Sequence, residues 1–177
     1  MPSIGHLAVG LAAGRLHAGR DGPRLRATAL FTGLALLPDL DGLALVFQPG
    51  PGSVWRHRGA THSLAVAVAV ALLVTAVVGG LGRSRWRMLA TALAVAGSHA
   101  LLDAFTRGAG GPMLFWPFST EKILFPFAAI PASPLLPRLL TPRGIDVMLR
   151  ELVLFAPLYA YGLWPRRGGQ GRAEVPG

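Results

Sequence analysis

The chain has no cysteine, so disulfides and thiolate metal sites are excluded, and any metal must be held by imidazole or carboxylate. Lysine is almost missing as well: Lys122 stands alone against sixteen arginines. Charged side chains make up only 14% of the sequence, too few to clothe the surface of an ordinary soluble domain. No basic strip interleaved with aromatics occurs, so nucleic acid is not expected as a partner. No internal repeat is evident, which weighs against the repeat-built architecture of secondary transporters. The first apolar run, residues 4–16, lacks a basic leader and carries His6; it is expected to belong to the mature protein and not to a cleaved signal.

What fills the sequence instead is apolar. Hydrophobic residues reach 52% and mean hydropathy is +0.50, values that indicate an integral membrane protein. Runs at residues 27–46, 61–81, 88–106 and 145–164 are long enough to cross a bilayer at ~1.5 Å per residue, while 4–16 suits a tilted or half-inserted helix. The run 27–46 is interrupted by Leu37-Pro38-Asp39-Leu40-Asp41-Gly42, where Pro38 removes a helix hydrogen bond and a kink or opening is expected. Arginines supply nearly all of the net charge of +9 and gather at 15–26, at 83–87 and in the tail. The positive-inside rule assigns those segments to the cytoplasm and the loops 47–60 and 107–144 to the outer side. The latter is rich in glycine and proline and carries Phe115, Trp116, Phe118, Phe125 and Phe127, as an interfacial cap would. The fold class expected is all-α: a single domain over residues 1–164, built as a multi-pass membrane bundle of about four or five helices. Residues 165–177 are expected to form a disordered basic tail.

Within that frame the stretch Ser98-His99-Ala100-Leu101-Leu102-Asp103 stands out, because residues four apart share a helix face and His99 and Asp103 therefore project together from an apolar run. Ionisable groups persist in such a run when they are paired, line a cavity or do chemistry. Antiparallel alternation of the runs brings further groups to the same membrane face. His6 begins the first run, Asp39 and Asp41 end the second, and His62 begins the third, while His17 falls at the opposite face. His6, Asp39, Asp41, His62, His99 and Asp103 have the ligand types for one or two divalent ions, zinc above all and manganese as the alternative. Asp39 and Asp41 are separated by about 200° on a regular helix, so one of them is a candidate for orienting a histidine in place of ligation. Taken singly, His6 or His62 could cap a helix, Asp39 could serve a turn, and His99 with Asp103 could be a buried hydrogen-bonded pair. Beside them, Arg56 and Arg58 are candidates to hold an anionic substrate and His57 to move a proton, the alternative being a solvated basic loop. Trp116 is a candidate substrate contact on a lid, with packing or a membrane belt as its other reading.

Five blocks of the sequence resemble the YdjM-like family of membrane-bound metal-dependent hydrolases from bacterial inner membranes: Gly5-His6; Leu37-Pro38-Asp39-Leu40-Asp41; His57-Arg58-Gly59-Ala60-Thr61-His62-Ser63; Ser98 to Asp103 with Thr106; and Trp116-Pro117-Phe118-Ser119. The resemblance covers most of residues 1–125. The order His, Asp, His, His-x3-Asp is also similar to part of the metal pattern of zinc-dependent phospholipases C and related nucleases, which cleave phosphoesters. That similarity implies His6, Asp39 or Asp41, His62, His99 and Asp103 as ligands, with Asp103 as a bridge between two ions. It does not extend to the later histidines and glutamate that complete a third metal position in the soluble enzymes. The function expected is hydrolysis of a phosphoester in a lipid or lipid-linked substrate at the outer face of the bacterial inner membrane, with membrane lipids as partners. A divalent-cation carrier and a structural membrane protein are the competing readings.

Overall fold

The computed structural model describes residues 3–20, 22–47, 50, 52–108, 110–128, 130–132 and 138–165. Helices α1 (Ser3–Ala18) and α2 (Arg24–Leu36) run antiparallel with their backbones nearly touching. A Cβ on Gly10 would lie 2.5 Å from the Cα of Thr32, and one on Gly14 would lie 2.4 Å from the Cα of Thr28. Glycines four apart on α1 therefore set the closeness of this hairpin. At Leu37 the α-helix gives way to a 3-10 segment, Leu37–Phe47, so the expected break is a change of helix type in which Asp39 and Asp41 are carried past the end of α2.

A loop leads to a short 3-10 turn, Ala60–His62, and then to α3 (Leu64–Val78), whose first turn is capped by Ser63 Oγ accepting from the Val66 N–H at 3.2 Å. Helix α4 (Arg85–Ala104) returns after Ser84, which caps it in the same way. Phe31, Leu34, Ala71, Met88, Ala92 and Val95 join α2, α3 and α4 in the main core.

Beyond α4 a two-residue parallel ladder pairs β1 (Thr106–Arg107) with β2 (Ile130–Pro131), a small exception to the all-helical expectation. The expected helix over 145–164 is in fact two, α5 (Pro142–Leu154) and α6 (Ala156–Leu163), separated at Phe155. Pro157 explains the break, because it lies in the first turn of α6, where a missing N–H leaves no hydrogen bond unmade. Helix α6 lies along α1, with Gly162 against Leu11 and the Tyr159 hydroxyl donating to the Ile4 carbonyl at 2.7 Å.

Among the described residues no helix is long and apolar enough to cross a membrane. Helix α3 is apolar throughout but its 15 residues extend only ~22 Å, and α4 reaches 20 residues with Arg85, Arg87 and Asp103 near its ends. The apolar runs 27–46 and 145–164 are each divided between two shorter helices. Several of these keep large apolar side chains outside, Leu72, Leu73 and Val77 on α3 and Leu149, Leu152 and Val153 on α5. Residues 166–177, expected as a tail, lie outside the described residues.

Candidate metal centre

His6 near the start of α1, Asp39 just after α2, His62 just before α3, and His99 and Asp103 near the end of α4 meet at one end of the bundle. His6, His62, His99 and Asp103 are each at most 1% exposed. The His6 and His99 rings stack at 3.7 Å between centroids, and His62 meets His99 edge-on at 4.8 Å. Nε2 of His62 lies 3.8 Å from Asp39 Oδ1 and 3.4 Å from Asp103 Oδ2; Nε2 of His99 lies 3.5 and 3.9 Å from the same two atoms. His6 Nε2 stands 3.7 Å from Asp103 Oδ1, the other oxygen of that carboxylate.

The tautomers follow from the remaining contacts. His99 Nδ1–H donates to the Ala35 carbonyl at 2.7 Å, which leaves the Nε2 lone pair for the centre. His62 turns Nδ1 to Asp41 Oδ2 at 3.0 Å, with the same result. Asp41 is otherwise fully engaged: Oδ1 accepts from His57 Nδ1 at 2.7 Å, and Oδ2 accepts from the Thr61 hydroxyl at 2.6 Å and the Arg58 N–H at 3.2 Å. Asp41 therefore orients His57 and His62 and does not enter any of the close groups of ligand atoms, which are His6/Asp39/His99, Asp39/His57/His62 and His62/His99/Asp103. Of the two aspartates flanking Leu40, Asp39 is the one whose carboxylate joins these groups.

Arg58 completes the inner layer. It is 3% exposed, its Nη2 donates to Asp103 Oδ1 at 3.0 Å, and among the described residues its Nε and Nη1 have no partner. Its backbone sits at φ 64°, a left-handed conformation that costs a non-glycine residue about 1 kcal/mol and here turns the guanidinium inward. A Cβ on the following Gly59 would come within 2.0 Å of the Val54 carbonyl oxygen, so only glycine closes this loop. Lys122 Nζ reaches toward the His57 carbonyl at 3.4 Å. Partial desolvation, and then the nearby charges of Arg58 and Arg56, push its ammonium below the ordinary lysine range.

With this geometry in place, comparison with known proteins adds a family: the model for the YdjM inner membrane protein matches residues 1–168. The chain belongs to that family. It is similar to the inner membrane protein YbcI of Escherichia coli (strain K12), 40% identical over 156 residues that cover 82% of this chain and 86% of the relative. No solved structure matches.

Other residues of this YdjM-family chain separate into those near the centre and those outside it. Arg56 is exposed on the loop that carries His57 and Arg58. Trp116 is half-buried in the next turn, its N–H bonded to the Met113 carbonyl at 3.3 Å, and among the described residues the ring and ion pairs of the centre do not include it. His17 lies at the far end, its Nε2 donating to the Gly80 carbonyl at 3.1 Å. Sequence reasoning missed Glu151: it is 1% exposed, lies beside Gly5 at the start of α1, and among the described residues neither carboxylate oxygen makes a well-formed hydrogen bond. The signal was available, because Glu151 is the acid farthest inside the apolar run 145–164.

Proposed function

We propose that this inner-membrane protein is a metal-dependent hydrolase that cleaves a phosphoester of a lipid or lipid-linked substrate. The observation that carries the reading is three buried imidazoles, His6, His62 and His99, each with Nε2 unpartnered among the described residues and aimed at the carboxylates of Asp39 or Asp103. A buried polar atom left without a partner costs about 1–3 kcal/mol, so three at one point suggest a site kept for a ligand. The N···O separations of 3.4–3.9 Å are too long for strong hydrogen bonds. They are close to the ~3.3 Å between neighbouring ligands of a tetrahedral ion with bonds of ~2.0 Å. His62, His99 and Asp103 would hold one zinc or manganese ion, and His6, Asp39 and His99 are the second group that could hold one, the two sharing His99.

Such an ion, when bound, acidifies water toward neutrality and polarises a phosphoryl oxygen. The protein supplies the rest. Arg58 offers Nε or Nη1 to a non-bridging phosphate oxygen while Nη2 stays on Asp103. Asp41 holds His57 by Nδ1, leaving Nε2 of that 24%-exposed ring to pass a proton to the leaving group. Arg56 and Lys122 add a positive field around the entrance. The apolar outer faces of α3 and α5 would rest in lipid, with the bundle inserted so that the metal end faces outward and the end carrying Arg15, Arg83 and Arg87 faces the cytoplasm.

The test uses the full chain in lipid nanodiscs, loaded with zinc or manganese, on bis(p-nitrophenyl) phosphate. Turnover that stops with EDTA and is missing in His62→Ala is the expected result. Turnover indifferent to EDTA, or none from the loaded wild type, contradicts the reading. A carrier built on the same residues would bind metal without turnover and would move it into sealed vesicles.

A further inference from the structure

Against the metal centre lies a pocket of about 250 Å³. Leu34 of α2, Val66 and Val70 of α3, and Ala96 and Ala100 of α4 form its walls, and Leu37 and Leu40, 41% and 58% exposed, stand at its open side. Its remaining edge is polar and consists of Asp41, Thr61, His62 and Ser63. One pocket therefore joins a hydrocarbon wall to His62 of the centre and to Asp41, which orients it. Its apolar walls give ordered water few hydrogen-bond partners, so it is suited to an apolar occupant. A larger hollow of about 420 Å³, lined by Leu102, Phe105, Ile130, Phe155 and Leu158 among others, is apolar on every side. It shares no residue with the centre, and the contrast marks the smaller pocket as the one with chemistry at its end.

We propose that this pocket is a tail site: it takes the hydrocarbon chain of an anionic amphiphile, lying between α2, α3 and α4, and sets the phosphoester head beside His62 with its oxygens on Arg58. The fate of the head rests on the hydrolase reading above; occupancy of the pocket by the tail does not. Charge decides between occupants. Arg58 does not line the pocket but stands behind His62, joined to it through Asp103 at 3.0 and 3.4 Å, and its two guanidinium nitrogens without a partner among the described residues call for an anion at the pocket's inner end. An apolar helix of a second copy or a neutral bilayer lipid offers none. Each methylene taken from water is worth about fourfold in affinity, so chain length should govern binding as long as the pocket has room.

The experiment is photo-crosslinking of the full chain in nanodiscs of neutral lipid, with a decyl phosphate carrying a diazirine at the end of its tail, and mapping of the labelled residues. Label is expected on residues 34–40, 66–70 and 96–100, lowered at least roughly tenfold by excess decyl phosphate but not by decanol or methyl phosphate. Val70→Trp and Ala67→Phe each fill the pocket and should remove that label while the proteins still purify as the wild type does. Label that decanol displaces equally, that spreads over Leu72 and Val77, or that persists in both variants is contact with bulk lipid and overturns the proposal. Crosslinks between two copies overturn it as well. If the pocket is labelled as expected and no phosphoester is cleaved, the tail site stands and the hydrolase reading falls.

Discussion

Both ends of the helical bundle bury histidine, and they treat it in opposite ways. At the arginine end His17 is 0% exposed and satisfied, with Nε2 on the Gly80 carbonyl, Nδ1 against the Thr91 hydroxyl and the ring against Phe31. The arginines around it are also spent on structure: Arg83 and Arg87 cap the last turn of α1 through the Ala18 and Leu16 carbonyls, and Arg15 and Arg24 do the same for α6 at Trp164 and Gly162. At the other end His6, His62 and His99 are as deeply buried, yet each keeps an unpartnered Nε2 beside carboxylates. Burial is therefore common to both ends, and what separates them is whether the histidine nitrogens are satisfied, although Arg83 Nε at the arginine end also lacks a partner among the described residues. A fold that caps the ends of α1 and α6 with arginine and satisfies both nitrogens of His17 at one pole leaves the three Nε2 atoms of the other pole without a partner among the described residues.

Breaking that difference at its centre should give the largest effect. Asp103→Asn keeps the shape of a side chain that meets His6, His62, His99 and Arg58, and turnover of bis(p-nitrophenyl) phosphate is expected to fall to background while the protein still purifies in folded form. Arg58→Lys keeps the charge and loses the fork; kcat/KM should drop by roughly a hundredfold, with bound metal unchanged by elemental analysis. Asp41→Asn weakens the hold on His57 and His62 without removing a ligand, and metal affinity from competition with a chelating dye should fall about 10- to 100-fold. At the satisfied pole, Arg83→Ala should cost about 1 kcal/mol in thermal unfolding and leave both metal content and turnover alone. An effect of Arg83→Ala on metal equal to that of Asp41→Asn would erase the distinction between the two ends.

Much of the centre was legible because its signals are local and its elements alternate. His99 and Asp103 share a face by their spacing, and Pro38 marks where α2 must stop, which places Asp39 at the same end. The division of labour between Asp39 and Asp41 was not legible. It depends on how the 3-10 segment turns each carboxylate, and on Thr61 and the Arg58 N–H arriving from a loop sixteen or more residues away. The depth of Arg58 was hidden for a similar reason, since a left-handed residue before Gly59 buries a side chain that composition alone would leave in solvent. Helix lengths were the weakest inference. Hydropathy runs through residue 155 without a pause, and the signal that divides α5 from α6 is Pro157, a proline that a run-length argument passes over. The other acid of that run, Asp146, is exposed and pairs with Arg150 at 2.8 Å, so only Glu151 marks the buried side of α5.

The decisive measurement is the metal content of the purified full chain by elemental analysis, with His99→Ala and His17→Ala beside the wild type. About one or two zinc or manganese ions per chain, lost in His99→Ala and kept in His17→Ala, is the predicted result. A wild type that binds no ion after loading, or two variants that lose metal alike, would contradict a metal centre at the unsatisfied end.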